Sequence, residues 1–362
     1  MEIDELLRLM IDKGASDLHL KVPSPPVLRI DGILMSEKEL PSVTPTYVER
    51  VFEQLITQEQ RSDFTRDREL DFAYSVKGMA RFRVNALQQR GTLSLAFRIV
   101  PFDVPSIDEL GLPQICKELI LKPRGLVLVT GPAGSGKSTT LAAMVEYLNE
   151  NERRNVITIE DPIEFLFRDK KCIIRQRDLG DDTRSFGSAL VHILRHDPDV
   201  IVIGEMRDLA TISTAITAAE TGHLVLGTLH TMDAVQSIDR IIDVFPSSQQ
   251  RQMRLQLSLV IEAVLSQTLL SCIDGGRVAA FEIMVATNLI RKLIREEKIF
   301  EISSSMKMGG REGAQTMDQA LTELIKQNRV TLADAMMKSS NPDELQKLAQ
   351  SQQEANSQSI LI

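Results

Sequence analysis

The chain has 362 residues, 43% of them hydrophobic and 4% aromatic, with a formal net charge of −8. This supplies cores for roughly two or three domains, while no apolar stretch is long enough to span a bilayer and the acidic, amphipathic start MEIDELLRLM is not a secretory signal. The acidic balance speaks against a life on nucleic acid, whose footprint is a basic patch. The scattered Cys116, Cys172 and Cys272 point to buried thiols rather than disulfides or a zinc site.

In chain order, IDELLRLMIDKGASDLHL has a helical apolar period, a glycine-containing stop and then a strand, and PPVLRIDGIL reads as a hairpin turning at Asp31-Gly32. YVERVFEQLITQEQRSDF reads as one amphipathic helix. LDFAYSVKGMARFRVNALQQRGTLSLAFRIV alternates apolar and polar residues over three strands, with turns at Lys77-Gly78 and Arg90-Gly91. Residues 1–100 are thus expected to form a small α+β domain with a mostly antiparallel sheet, and PFDVPSIDELGLP a linker over 101–112.

From there the pattern changes. The short apolar runs GLVLVTG, NVITIED, DVIVIGE and HLVLGTL alternate with helical segments, the signature of an α/β domain with a parallel sheet and crossover helices. This second domain is expected over 113–345. Beyond residue 232 the chain reads as helical, first SIDRIIDVF, then QQRQMRLQLSLVIEAVLSQTLL, then shorter helices. The polar tail 346–362 is expected to be disordered.

GPAGSGKST matches the phosphate-loop pattern in full and stands between an expected strand and an expected helix. Gly131, Pro132, Ala133, Gly134, Ser135 and Gly136 would let backbone N–H groups converge on phosphates, with the positive end of the following helix behind them. Lys137 supplies a point charge, Ser138 a hydroxyl for Mg²⁺, and Thr139 completes the motif; the ligand class is ATP with Mg²⁺.

Hydrolysis also needs carboxylates at the carboxyl ends of the strands. VITIED delivers Glu160 and Asp161, with Glu164 just beyond, and VIVIGE delivers Glu205. Gly204 stands where many phosphate-loop enzymes place a metal-holding Asp. Glu205 is therefore expected to orient water and Glu164 to serve the metal side, while Asp161, before a proline, can equally be a helix cap.

In TGHLVLGTLHT the two histidines lie seven positions apart, so they face opposite sides of a strand and stand roughly 20 Å apart. His230, past the carboxyl end, is expected to donate to the γ-phosphate. His223 is kept among candidate nucleotide contacts, against a structural role at the opposite end or a bridge to a neighbouring subunit. Arg81 and Arg83 share one strand face and Arg98 follows. Without an acidic run of their own, they are candidates for phosphate contact and transition-state charge, against a solvated strand face.

Taken together, GPAGSGKST, ITIEDPIE, DPDVIVIGEMRD and TGHLVLGTLHT resemble, in this order, the four boxes of the secretion-type hexameric ATPases that drive type II secretion and type IV pili. The likeness runs from the start to about residue 340. GASDLHL and PPVLRIDG resemble the opening of the pilus retraction branch, without the long extra amino-terminal domain and four-cysteine zinc site of extension and secretion relatives. LIRKLIRE, Leu289–Glu296, is similar to the signature AIRNLIRE, with Leu289 in place of Ala and Lys292 in place of Asn. These departures leave room for the accessory retraction ATPases.

The resemblance implies a PAS-like first domain, a RecA-like second domain and a homohexamer. It also implies ATP between domains with Arg83, Arg98 and less directly Arg81 reaching over, and work on an inner-membrane pilus platform from the cytoplasmic face. Membrane association would come only through partners, a paralogous retraction ATPase among them. The competing class is a RecA-like nucleic-acid translocase, against which the acidic charge and the absence of tryptophan count.

Overall fold

Along Ala80–Gln89, Ala80, Phe82, Val84 and Ala86 are buried while Arg81, Arg83 and Asn85 point the other way. This period of two sets one apolar and one polar face on a sheet. In the computed structural model, residues 2–30, 32–308, 313–343 and 345–346 are described. The chain divides into two units, one ending at Asp103 and including Glu164–Leu166, the other made of Val104–Ile163 and the residues from Phe167 on.

The first unit contains α1 (Ile3–Asp12), β1 (Asp17–Lys21), β2 (Val27–Ile30), β3 (Ile33–Ser36), α2 (Pro45–Leu55), α3 (Gln58–Asp67), β4 (Glu69–Val76), β5 (Ala80–Gln89) and β6 (Thr92–Val100). Its six strands pair antiparallel in the order β3-β2-β1-β6-β5-β4. Leu6, Leu7 and Met10 of α1 and Val48, Val51 and Phe52 of α2 pack with Leu18, Phe82, Val84 and Phe97 of the sheet. The expected single helix over 47–64 is two. Ile56 is extended, and Thr57 starts α3 with a capping box, accepting from Gln60 N while the Gln60 side chain accepts from its own N–H. Ile30 pairs with Ile33 across the expected hairpin, whose Asp31 lies outside the described residues.

The second unit begins with α4 (Ile115–Ile120), β7 (Gly125–Thr130), α5 (Lys137–Asn151), β8 (Asn155–Glu160), β9 (Ile173–Asp178), α6 (Phe186–Ile193), β10 (Val200–Ile203), α7 (Leu209–Glu220) and β11 (Leu224–Leu229). It continues with α8 (Ala234–Asp243), α9 (Ser247–Val260), β12 (Ile261–Ser271), β13 (Arg277–Val285), α10 (Asn288–Arg295), α11 (Ile302–Met308), α12 (Met317–Lys326) and α13 (Leu332–Met336). The seven-stranded sheet runs β13-β12-β7-β11-β10-β8-β9, parallel except for β13. β7, β10 and β11 are buried along their whole length, each large aliphatic side chain contributing about 1.5–3 kcal/mol of burial. Even-numbered β7 residues face the core that holds α7 and α8, odd-numbered ones the core that holds α4 and α5.

The long helix read through QQRQMRLQLSLVIEAVLSQTLL ends at Val260, and its second half is strand β12. Lying between β7 and β13, β12 is buried on both faces, so it shows no alternation to distinguish it from a buried helix. β9 and β13 also went unread. The expected linker is only partly a connector, since Ile107 and Leu112 are buried in the second unit's core. Residues 347–362 of the expected tail lie outside the described residues. Cys116 and Cys172 are buried and Cys272 is half-buried, all as free thiols.

Candidate nucleotide site

The phosphate loop lies between β7 and α5, as its sequence context requires. Gly131, Gly134 and Gly136 have φ of 141°, 74° and 90°, values that side-chain-bearing residues rarely adopt. Lys137 is nearly buried, and its Nζ donates to Gly131 O at 2.8 Å and Pro132 O at 3.0 Å, which holds the ammonium over the loop. Ser138 and Thr139 follow in the first turn of α5, whose N-terminus has no side-chain cap, so its dipole and N–H groups face the loop.

The loop fits a nucleoside triphosphate on two counts. Its left-handed glycines make a cradle, and the Ser135 hydroxyl is buried with no hydrogen-bond partner among the described residues. A buried orphan hydroxyl is costly unless a ligand or water completes it. No cluster of three or more acidic, imidazole or thiol side chains stands ready for a metal among the described residues.

Beside the loop, β11 runs along β7 with Leu229 opposite Thr130, and β10 along β11 with Ile203 opposite Gly227. Glu205 and His230 leave the ends of these strands, and Glu205 Oε1 lies 3.1 Å from His230 Nε2. The same oxygen accepts a short hydrogen bond from Arg207 Nε. Burial opposes ionisation of Glu205, but the bonds from Arg207 and then His230 outweigh it, leaving its carboxyl below the ordinary range. Gly204 is explained by packing. A Cβ there would stand 3.0 Å from Ile159 O and 3.2 Å from Glu160 Cα, so a side chain just past β10 would crowd the β8 backbone.

The other sequence candidates separate. Glu160 is at the end of β8, where its Oε1 accepts from Thr158 Oγ1 at 2.6 Å and Gln176 Nε2 at 3.1 Å. Glu164 is exposed and groups with the first unit. His223 precedes β11 at the end remote from the loop, where Leu224 pairs with Gly125. Its Nδ1 is 2.9 Å from Ala218 O in the last turn of α7 and 3.2 Å from Thr221 Oγ1. Within its own chain these contacts tie it to the last turn of α7.

In the first unit, Arg98 pairs across the sheet with Asp17 and with Arg83. No acidic run accompanies the arginines, but Arg98 Nε donates to buried Asp17 Oδ1, 81 residues away, at 2.8 Å. Arg83 has a loose contact, 3.9 Å to exposed Asp71. Sequence reasoning missed Arg207 and also Gln267, a buried β12 side chain against the loop. Arg207 could have been found from its two-residue spacing to Glu205. Gln267 was hidden by the misread helix.

The pattern of the family described as "Type II/IV secretion system protein" matches residues 2–359. The chain belongs to this family. Within it, the chain is 47% identical over 343 residues to "Type IV pilus retractation ATPase PilT" of Pseudomonas aeruginosa, covering 95% of this chain and 99% of that one. It is 41% identical to "Type IV pilus ATPase PilU" of the same organism, covering 95% of this chain and 90% of that one. Among solved family structures, the pilus retraction motor PilT with bound ADP superposes with a TM-score of 0.88 at 46% identity, covering 96% and 99% of the two chains. The Legionella pneumophila ATPase DotB gives 0.82 at 26% identity, covering 92% and 94%. The secretion-type ATPase expectation and the α/β fold with its parallel sheet are both borne out.

Proposed function

We propose that the protein is an Mg²⁺-dependent ATPase motor that powers retraction of type IV pili, working as a homohexamer at the cytoplasmic face of the inner membrane. The observation that carries this reading is the phosphate loop with Glu205 and His230 beside it, in a chain alike over nearly its whole length to a pilus retraction ATPase. Among the described residues no helix is long and apolar enough to cross a membrane, which suits docking through a partner such as the pilus platform protein.

ATP with Mg²⁺ supplies the phosphoanhydride and its neutralising charge. Lys137 holds the terminal phosphates, the 131–136 backbone cradles them, and Ser138 ligates the metal. Glu205, kept ionised by Arg207 and His230, orients the attacking water through its charge. Glu164 serves the metal side, Glu160 belongs to the nucleotide-binding set, and His230 donates to the γ-phosphate. Arg83, with Arg98 and Arg81, reaches the nucleotide of a neighbouring subunit. Closing around ATP and opening after hydrolysis moves the partner at the ring centre.

The test has two levels. Lys137→Ala should abolish ATP turnover, Glu205→Gln should let ATP bind and persist, and Glu164→Gln should shift the Mg²⁺ titration more than the rate. Deletion in the host should leave many surface pili that do not retract and no surface movement. Bald cells would point to extension instead, and turnover stimulated by single-stranded DNA to a translocase. The 41% identity to PilU and the Leu289 and Lys292 departures also support an accessory retraction motor.

A further inference from the structure

β12 lies directly against the phosphate loop. Gln267, 2% exposed, accepts at Oε1 from Thr140 Oγ1 of α5 at 2.8 Å and donates from Nε2 to the Ser135 carbonyl at 2.5 Å. Ser135 O can only accept, so it must meet the amide nitrogen, and Oε1 is left for the threonine hydroxyl. The neighbouring Ser266 accepts from Thr130 Oγ1 at 2.8 Å, so β12 grips the residues on both sides of the loop's entry. Two of the loop glycines abut this same residue. A Cβ on Gly131 would collide with Gln267 O, and one on Gly136 would stand 3.1 Å from Gln267 Nε2. A Cβ on Gly134 meets nothing within 4 Å.

A phosphate loop recognises its ligand with backbone N–H groups, so the orientation of each peptide plane decides affinity. In a trans peptide the carbonyl of one residue and the N–H of the next point in opposite directions. Holding the Ser135 carbonyl against β12 therefore turns the Gly136 N–H away from β12. A glycine loop cannot set that plane with its own side chains, and the Lys137 bonds to the Gly131 and Pro132 carbonyls hold earlier peptides of the loop.

We infer that Gln267 is a positioning residue for the phosphate loop, holding the Ser135–Gly136 peptide in its phosphate-binding orientation. This rests on the ATPase reading of the same loop. Because the loop binds ground state and transition state alike, losing the tie acts on nucleotide affinity and KM more than on kcat.

The experiment compares wild type, Gln267→Met, Gln267→Glu and Lys137→Ala as full-length chains. It measures equilibrium titration with fluorescent ADP, steady-state ATP turnover and nucleotide-free thermal melting. Met keeps the length without polar atoms, and Glu keeps the acceptor for Thr140 while its carboxylate lacks the donor to Ser135. Both should weaken ADP binding about tenfold and raise KM similarly, with kcat within about threefold. ADP affinity and KM within twofold of wild type, with only the melting temperature lowered, would overturn the inference. So would failure of both variants to fold, because Gln267 would then be holding the core rather than the loop. If wild type itself bound no ADP, the nucleotide site would fall and this inference with it.

Discussion

His230 Nε2 lies 3.1 Å from Glu205 Oε1, so the ends of two adjacent parallel strands meet in one acid–imidazole contact beside the phosphate loop. His230→Ala should lower turnover with the fold retained. A donor to developing phosphate charge in a closed site is worth roughly 2–4 kcal/mol. Turnover at saturating ATP on size-selected oligomers checks this, and an unchanged rate would remove His230 from the chemistry.

Arg207 is the largest of the influences that favour the Glu205 carboxylate, since burial alone would raise its pKa. A carboxyl held below its ordinary value stays ionised as pH falls, and its activity is lost only when pH passes through that lowered value. In Arg207→Ala the acid limb of the pH–rate profile should therefore move to higher pH. An unmoved limb would mean that Glu205 does not set it.

Arg98 and Arg83 face each other across β5 and β6 but should respond differently to truncation. Arg98→Ala leaves the nearly buried Asp17 without its closest cation, lowering stability by about 1 kcal/mol, read as a lower melting temperature. Arg83→Ala, whose acidic contact is loose and exposed, should leave melting unchanged. Mixed with Lys137→Ala subunits, Arg83→Ala subunits should recover part of the ATPase activity, because some interfaces then pair two intact halves. No rescue would place Arg83 at its own subunit's nucleotide.

His223 ties the last turn of α7 to the start of β11. His223→Ala should lower the melting temperature or the oligomeric state and leave the ratio of ADP to ATP affinity unchanged. A changed ratio would show that this ring reaches a nucleotide, as one from a neighbouring copy could.

Glu282 of β13 is opposite Ser266 and accepts from Ala234 N, the first N–H of α8, at 2.9 Å. Burial pushes its carboxyl up to about 7, with Asp233 and Asp318 adding to the rise and the Ala234 and Met317 N–H groups opposing it. The unfolded chain loses this proton near the ordinary 4.5, so the Glu282 contribution to stability falls as pH rises from there to about 7 and is level above. Glu282→Gln should flatten that part of the melting-temperature profile. Equal slopes in the variant and wild type would contradict it.

Much of the site is legible in the sequence because its signals are local. The phosphate loop is a contiguous spacing, Glu205 ends an apolar strand, and parity with strand rise put His223 and His230 at opposite ends of β11, as they are. What tertiary structure alone decided concerns partners far apart in the chain. Central β12 hides its period because both its faces are buried, so Gln267 could not be seen gripping a loop more than a hundred residues away. Asp17 and Arg98 become a pair only when β1 and β6 align, 81 residues apart. Gly204 reads in sequence as a missing acid, and only the close approach of β8 shows that a side chain there would crowd the neighbouring backbone. A local pattern can state which groups a strand presents, but which of them meet depends on strand order, and strand order is set by burying both faces of one sheet at once.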